Sequence, residues 1–391
     1  MSHVLTLNAG SSSLKFGLFA TTETDPNEMC AGLVDRIGSD DGTIKLKDAE
    51  GAVLAQTGPQ PIANHAEAVQ SALTMIEASV PGAKVTAVGH RVVHGGVDFD
   101  APMVVDDAVL AKLDRLSPFA PLHQPHNLAG IRAAQAAFVD AVQIACFDTA
   151  FHRNHPFVND TFALPMRYYE KGVRRYGFHG LSYDYIAGHM ADAFPDLHDG
   201  RVVVAHLGNG ASMCGMRAGQ SVCSTMGFSA LDGLPMGTRS GQLDPGVLLY
   251  LMEQEQMSAS EISDLLYKQS GLLGLSGLSN DMRRLEASGT DAAERAIAYF
   301  TFRIRHELGA LAAVLGGLDA VVFTGGIGEN SRRVRAEVCN GFGWMGLTFD
   351  DAANAEDATE ISTAGSVVKA LVIPTNEELV IARAAAAAAA A

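Results

Sequence analysis

Short runs of β-branched and aromatic residues alternate along the chain with longer stretches whose apolar positions recur every three or four residues. The short runs predict strands at Val4–Asn8, Leu14–Phe19, Val85–Val93, Val142–Phe147, Arg201–Leu207, Ala320–Thr324 and Val367–Ile373. The longer ones predict helices at Ala63–Ser79, Asp106–Leu116, Leu181–Phe194, Pro245–Met257, Ser258–Gln269, Asp291–Leu315 and Ser331–Asn340. Strands interleaved with helices in this way indicate an α/β architecture. A last helix is expected from about Asn376, where Thr375-Asn376-Glu377-Glu378 has the form of a capping box. Its tail, Ala384 to Ala391, is pure alanine and carries no chemistry.

The pattern also echoes itself. Val4-Leu5-Thr6-Leu7-Asn8-Ala9-Gly10-Ser11-Ser12-Ser13 leads into a second apolar strand, and Val203-Val204-Ala205-His206-Leu207-Gly208-Asn209-Gly210-Ala211-Ser212 does the same half a chain later. Short Gly-rich hairpins also arise by chance, but one opening each half favours a duplication. The expected division is a first domain at about 1–150 and a second at about 151–376, facing each other across a cleft. The final helix, about 377–391, is expected to pack back on the first domain.

Composition narrows the function. A chain of 391 residues exceeds one ordinary core, and 48% hydrophobic with 18% charged residues describes a packed protein. The net charge of −16 argues against a surface for nucleic acid, although a local arginine cluster can still bind a small anion. Cys30, Cys146, Cys214, Cys223 and Cys339 are scattered, odd in number and form no CxxC pair, which fits a reducing compartment. Met1-Ser2-His3 has no basic n-region, and Glu307 and Asp319 bound the apolar run that begins at Leu308, leaving it too short for a bilayer, so no membrane span is expected. The expected location is cytoplasmic.

Three segments could hold phosphate. Asn8-Ala9-Gly10-Ser11-Ser12-Ser13-Leu14-Lys15 offers backbone N–H groups, hydroxyls and a lysine, although a plain β-turn has the same composition. His206-Leu207-Gly208-Asn209-Gly210 offers the same backbone chemistry, or an ordinary left-handed asparagine turn. Val321–Asn330 reads as strand, glycine turn and helix, but it misses the GxGxxG pattern because Ser331 replaces the last glycine. Arg91 and Arg239 sit among apolar or glycine-flanked residues, where each needs a partner: a carboxylate or phosphate ligand, or an internal acid. Asp148 ends a strand, where it could serve catalysis, bind metal or cap a turn. His179 lies in a glycine-flanked loop; His123 is a weaker candidate of the same kind, and Glu377 could simply favour a helix start. HExxH, GxSxG and CxxC are absent, which argues against a metalloprotease, an α/β-hydrolase and a thioredoxin-like enzyme.

In order along the chain, Asn8–Lys15, Gly89-His90-Arg91-Val92-Val93-His94-Gly95-Gly96, Phe147–His152, Tyr176–Gly180, His206–Gly210, Met236–Arg239, Phe323–Asn330 and Pro374–Leu379 resemble the acetokinase family. That family is a branch of the superfamily holding sugar kinases, Hsp70 chaperones and actin. The resemblance spans essentially the whole chain. It implies two duplicated actin-like, ribonuclease-H-like ATPase domains around a central nucleotide cleft, and a homodimer made mainly through the second domain. It implies reversible Mg²⁺-dependent transfer of the ATP γ-phosphoryl group to acetate or another short carboxylate, with Mn²⁺ able to substitute. Carried over by position, Arg91 and Arg239 hold the carboxylate and the phosphoryl group, His179 stabilises the group in transfer, and Asp148 orients the arginines or the metal. Asn8 and Glu377 help place Mg²⁺. Lys15, His206, Asn209, Gly210, Asp281, Arg283, Gly326, Ile327, Glu329 and Asn330 attend the nucleotide, and Val93, Leu122, Phe178 and Ala230 line a small apolar pocket for the acyl group.

A carboxylate is already a nucleophile at neutral pH, its pKa lying near about 4–5, so in-line transfer needs no general base and Asp148 is expected to act electrostatically. Two positions depart from the family pattern. Tyr183 stands where a histidine is common, and Ala230 stands where proline is common in the acyl pocket. The smaller side chain keeps propionate open as a second substrate, since one methylene is worth only about 1–3 kcal/mol. A sugar kinase would need a base and a polyol pocket. An ATP-gated binding or sensor protein of the same fold would leave the Arg91 and Arg239 pair without a purpose.

Overall fold

The computed structural model describes residues 2–10, 12–22, 25–121 and 123–390. Ser11 of the first phosphate candidate and Leu122 of the expected acyl pocket lie outside the described residues. The chain divides into two compact units: Met1–Arg153 with Asn376–Ala391, and Asn154–Thr375. The first unit holds a sheet of β1 (His3–Ala9), β2 (Ser13–Ala20), β3 (Asn27–Asp35), β4 (Ser39–Asp48), β5 (Val53–Ile62), β6 (Val85–Val92), β7 (Met103–Val104) and β8 (Val142–Phe147), in the order β5-β4-β3-β2-β1-β6-β8-β7. The second holds β9 (Arg201–Leu207), β10 (Ala211–Arg217), β11 (Gln220–Ser224), β12 (Ala320–Thr324) and β13 (Lys369–Val372), in the order β11-β10-β9-β12-β13.

The echo in the sequence is an echo in topology. β1 runs antiparallel to β2 and parallel to β6, β6 is parallel to β8, and β3 is antiparallel to β2. β9 runs antiparallel to β10 and parallel to β12, β12 is parallel to β13, and β11 is antiparallel to β10. Both units therefore contain one five-strand pattern, and each Gly-tipped hairpin is its first two strands.

Alternation along β1 explains how the first sheet is covered on both faces. Leu5, Leu7 and Ala9 join a core with Val69, Ala72 and Ile76 of the helix His65–Ser79, whereas Val4 joins Ala382 and Ala385 of the helix Glu377–Ala390. The alanine-rich last helix packs closely because its side chains are small, and because Gly89 of β6 has no Cβ to strike Ile381. That helix does not start on a capping box. Asn376 is the cap, its Oδ1 accepting from Leu379 N–H at 2.9 Å, because the Glu378 carboxyl turns to the Thr6 hydroxyl.

Several boundaries follow the sequence pattern closely. Asp291–Leu315 is one helix, opened by the Thr290 side chain and closed by Gly316 in the left-handed region. The strand expected at Val367–Ile373 shortens to Lys369–Val372. Strands β3 to β5 and the helix Gln124–Ala137 were not anticipated.

Two buried histidines make the fold sensitive to acid. His90, bonded to Gln143 Oε1 at 2.8 Å, is pushed down to about 4 by burial, and His94 to about 4 by burial and the charge of Arg153. Unfolded imidazoles take a proton near about 6.5, so below that pH the unfolded chain binds more protons, and stability is lost as pH falls toward about 4. The expected loss is up to about 3 kcal/mol for each histidine. Urea unfolding across this range checks it; a flat profile would contradict the buried, neutral assignment.

Candidate active site

The first unit gathers four expected residues at the carboxyl edge of its sheet. Arg91 lies near the end of β6 and Asp148 directly follows β8. Parallel register pairs Val92 with Phe147, and Asp148 N–H donates to the Val92 carbonyl at 3.0 Å, which sets its side chain beside Arg91. The Asp148 carboxylate, 1% exposed, accepts from Arg91 Nε at 3.1 Å and Nη2 at 2.5 Å. This forked pairing is open to a guanidinium and not to an ammonium. Arg91 Nη1 donates to Asn8 Oδ1 at 3.2 Å, and Glu377 Oε2 lies 3.9 Å from Arg91 Nε. Burial disfavours the arginine's charge, but Asp148, Glu377 and Glu378 outweigh it and hold its pKa above the ordinary value.

Lys15 belongs to this cluster. It is exposed on β2 directly opposite Asn8, in the first unit. Two residues here were missed by sequence reasoning. Glu378, beside Glu377, has its pKa raised by burial and by the Glu377 charge, against the Thr6 hydroxyl, Lys15 and Arg91. Asn127 accepts from Val93 N–H at 3.0 Å and donates to the Ala9 carbonyl at 2.7 Å, tying β6 to the hairpin. Val93 itself is buried, and His123 stands at the N-cap of the helix Gln124–Ala137.

The second unit builds around the tip Gly208-Asn209-Gly210. His179 precedes the helix Gly180–Ala193 with φ 58° and ψ 26°, a left-handed conformation that histidine visits more readily than most residues and that collects at functional positions. Its ring stacks on His206 with centroids 4.3 Å apart. His179 Nδ1 lies 2.8 Å from Ser212 Oγ, and His206 Nδ1 lies 2.8 Å from Ser182 Oγ. A Cβ on Gly208 would come within 4.0 Å of His206 Nε2. One on Gly210 would come within 3.3 Å of His179 Nε2 and 3.8 Å of Arg239 Nη2. Both imidazole Nε2 atoms and the Arg239 guanidinium therefore face the tip. Arg239 Nη1 also donates to the Ala230 carbonyl at 3.1 Å, and Phe178 is buried next to His179.

A cleft of about 600 Å³ opens in this unit, lined by Gly208, Asn209, Asn280, Asp281, Arg283, Gly326, Ile327 and Asn330 among others. That volume suits a nucleoside-sized ligand. Asn280, not anticipated, donates to Asn209 Oδ1 at 3.3 Å. Gly237 must lack a side chain, because a Cβ there would overlap Asn209 Oδ1. Asp281 caps the helix Met282–Ser288 and pairs with Arg283 at 2.8 Å, which holds its carboxyl below the usual range. Glu329 turns to backbone, accepting from Gly325 N–H at 2.8 Å and Thr375 N–H at 3.3 Å, and so braces the turn after β12.

The model of the acetokinase family matches residues 3–383. The chain belongs to the acetokinase family. An acetate kinase of Methylocella silvestris is 57% identical over 97% of this chain and 96% of its own length, and one of Rhodopseudomonas palustris is 51% identical over 97% and 96%. The crystal structure of Porphyromonas gingivalis acetate kinase superposes with a TM-score of 0.88 at 38% identity, covering 98% of both chains. That of a propionate kinase from Francisella tularensis superposes with a TM-score of 0.91 at 35% identity, covering 98% of this chain and 99% of its own. As an acetokinase the chain is a phosphotransferase acting on a carboxylate, and its two repeated sheets are the duplicated actin-like ATPase fold.

Acetokinase membership implies ATP and a divalent metal. The donors of the first unit fit a hard cation: Asn8, Asp148, Glu377 and Glu378 offer oxygens around the guanidinium of Arg91, and Glu378 Oε2 is buried with no hydrogen-bond partner among the described residues. Among the described residues no group of three or more His, Cys, Asp or Glu is arranged to hold a metal alone. No helix among the described residues is long and apolar enough to cross a membrane.

Proposed function

We propose that this chain is an Mg²⁺-dependent acetate kinase. A carboxylate oxygen of acetate attacks the γ-phosphorus of ATP, the bond to the bridging oxygen breaks in line, and acetyl phosphate and ADP result, reversibly. The observation that carries this reading is the forked Arg91–Asp148 pair, a guanidinium still 21% exposed and oriented by a buried carboxylate. An arginine so held is pre-set to receive a small anion. Arg239, His179 and the tip near Gly210 present donors for the phosphoryl oxygens, and the cleft from Asn209 to Asn330 accommodates the nucleotide. Asn8 and Glu377, with Asp148, would hold Mg²⁺ (Mn²⁺ as substitute), which neutralises charge on the phosphates when bound. Lys15 and His206 are proposed to act at the phosphates, and Gly326, Ile327, Asp281 and Arg283 around the base and ribose. Val93, Leu122, Phe178 and Ala230 are proposed to meet the acyl methyl. Propionate is a second substrate on this reading, favoured by the short Ala230 side chain.

Asp148 acts electrostatically in this scheme. Asp148→Asn is expected to lower kcat by about 10²-fold by loosening Arg91, while the pH–rate profile keeps its shape. Loss of a basic limb in that variant would assign Asp148 as a base and overturn the scheme.

A homodimer and a cytoplasmic location complete the proposal. The helix Pro245–Glu253 has no buried residue, yet carries Val247, Leu249, Tyr250 and Met252, and Tyr299 and Phe302 of Asp291–Leu315 are also exposed. Apolar surface of this kind is proposed to meet a second copy about a twofold axis. Tyr250→Glu is expected to sediment as a monomer where the natural chain sediments as a dimer; a monomeric natural chain would refute the interface. The five unbridged, buried cysteines support a reducing compartment.

A further inference from the structure

The two stacked histidines are held in a crossed pattern. Ser212 on β10 pairs in register with His206 but contacts Nδ1 of His179, whereas Ser182 on the helix that follows His179 contacts Nδ1 of His206. Behind Ser212 stands a third group. Tyr183 is fully buried, and its hydroxyl lies 2.5 Å from Ser212 Oγ, itself fully buried. Tyr183 is one helical turn from His179, its N–H donating to the His179 carbonyl at 3.1 Å, so both side chains meet Ser212 from the same face. The result is a continuous line, Tyr183 hydroxyl to Ser212 hydroxyl to His179 Nδ1, ending on the nitrogen opposite the one that faces the glycine tip.

We propose that Tyr183 is a positioning residue that fixes neutral His179 as the tautomer carrying its proton on Nε2. A phenol is a far better acid than an aliphatic hydroxyl, and chains of hydrogen bonds reinforce one another when all donors point the same way. The phenol therefore heads the line: Tyr183 O–H donates to Ser212 Oγ, and Ser212 O–H donates to His179 Nδ1. With Nδ1 occupied as an acceptor, the neutral ring keeps its single N–H on Nε2, the atom aimed at Gly210 beside the Arg239 guanidinium. The site then presents a donor to phosphoryl oxygens, and never a lone pair that would repel them. Setting a histidine's tautomer by the partner of its other nitrogen needs no motion and no net charge.

This inference rests on the proposal that His179 meets the group in transfer, and the two are separable by experiment. ¹⁵N spectra of histidine-labelled protein, recorded at alkaline pH with His179→Gln identifying the resonances, report which ring nitrogen carries the proton. The natural chain is expected to show Nε2 protonated and Nδ1 free. Tyr183→Phe keeps the ring volume, so the fold should hold, but frees the Ser212 hydroxyl to turn. A mixture of tautomers is expected, with kcat lowered by about tenfold and KM for ATP little changed. Ser212→Ala should do the same, and combining it with Tyr183→Phe should add nothing, because both break one line. An Nδ1-protonated ring in the natural chain, or an unchanged tautomer in Tyr183→Phe, would overturn the inference. So would a shifted tautomer with unchanged kcat while His179→Gln abolishes turnover. If His179→Gln itself keeps full turnover, the reading of His179 fails, whatever the tautomer.

Discussion

Arg91→Ala is expected to lower kcat for acyl phosphate formation by about a thousandfold, the range lost when a preorganised donor is taken from a transition state. The reason lies in what surrounds the guanidinium. Asp148 fixes two of its N–H edges and Asn8 a third contact, so the fork is held before any ligand arrives. Removing it strips the positive charge proposed to meet the carboxylate and takes from buried Asp148 its forked Arg91 contact, a loss that costs about 3–5 kcal/mol of stability in comparable buried pairs. Loss of turnover must therefore be separated from loss of fold. In Arg91→Ala combined with Asp148→Asn the buried charge is gone, stability should largely return, and turnover should stay low. Arg91→Lys should retain the fold better than alanine yet stay impaired, because an ammonium cannot reproduce the forked contact. Unfolding midpoints and single-turnover rates on the three variants check this. Near-normal turnover in Arg91→Ala would remove Arg91 from the machinery.

Arg335→Ala is expected to destabilise the second unit by about 3–5 kcal/mol and to raise KM for the nucleotide. Arg335 is fully buried on the helix Arg332–Cys339. It donates to the Gly328 and Glu329 carbonyls at 3.1 and 2.6 Å, to Asn354 Oδ1 at 2.7 Å and to Asp357 Oδ1 at 2.8 Å. The two carbonyls belong to the short helix Gly325–Asn330, whose Gly326, Ile327 and Asn330 line the cleft. One side chain thus satisfies the helix end that the cleft depends on, and with Arg332 it holds Asp357 down to about 2. Urea unfolding with and without ATP checks both parts. A variant as stable as the natural chain would show that water replaces the guanidinium at those carbonyls.

Arg335 was invisible in the sequence, where Arg332-Arg333-Val334-Arg335 reads as a charged helix face. The elements themselves were more legible. Strong periodicity and local caps placed Asp291–Leu315 and the strands Val142–Phe147 and Arg201–Leu207, because those segments are buried on their own terms. Strands β3 and β5 escaped because they mix exposed and buried positions without a clean alternation, whereas β4 alternates over Ile44, Lys45, Leu46 and Lys47 but is bounded by acidic and glycine residues that read as a loop. The Thr375–Glu378 pattern misled for a different reason: a local cap lost to a tertiary contact, Glu378 with Thr6. Arg91 stood out alone as a charge in an apolar strand, but its partners lie 83 and 57 residues away at Asn8 and Asp148 and meet it only through parallel register. Asp148 at a strand end and Asn8 in a phosphate candidate were singled out by position alone, but only the motif resemblance linked Asp148 to the arginine. Ser212 and Asn127 gave no signal, since a serine in a strand and an asparagine in a helix are ordinary until their contacts are seen.

The central claim is phosphoryl transfer to a short carboxylate. The most direct measurement traps acyl phosphate with hydroxylamine in the presence of Mg²⁺-ATP, comparing formate, acetate, propionate and butyrate by kcat/KM. The expected result is hydroxamate that depends on acetate, with propionate second and with both lost in Arg91→Ala and Arg239→Ala. Steady ATP hydrolysis with no hydroxamate from any acid would contradict the account: the fold and the family would stand, and the acceptor assigned to this site would not.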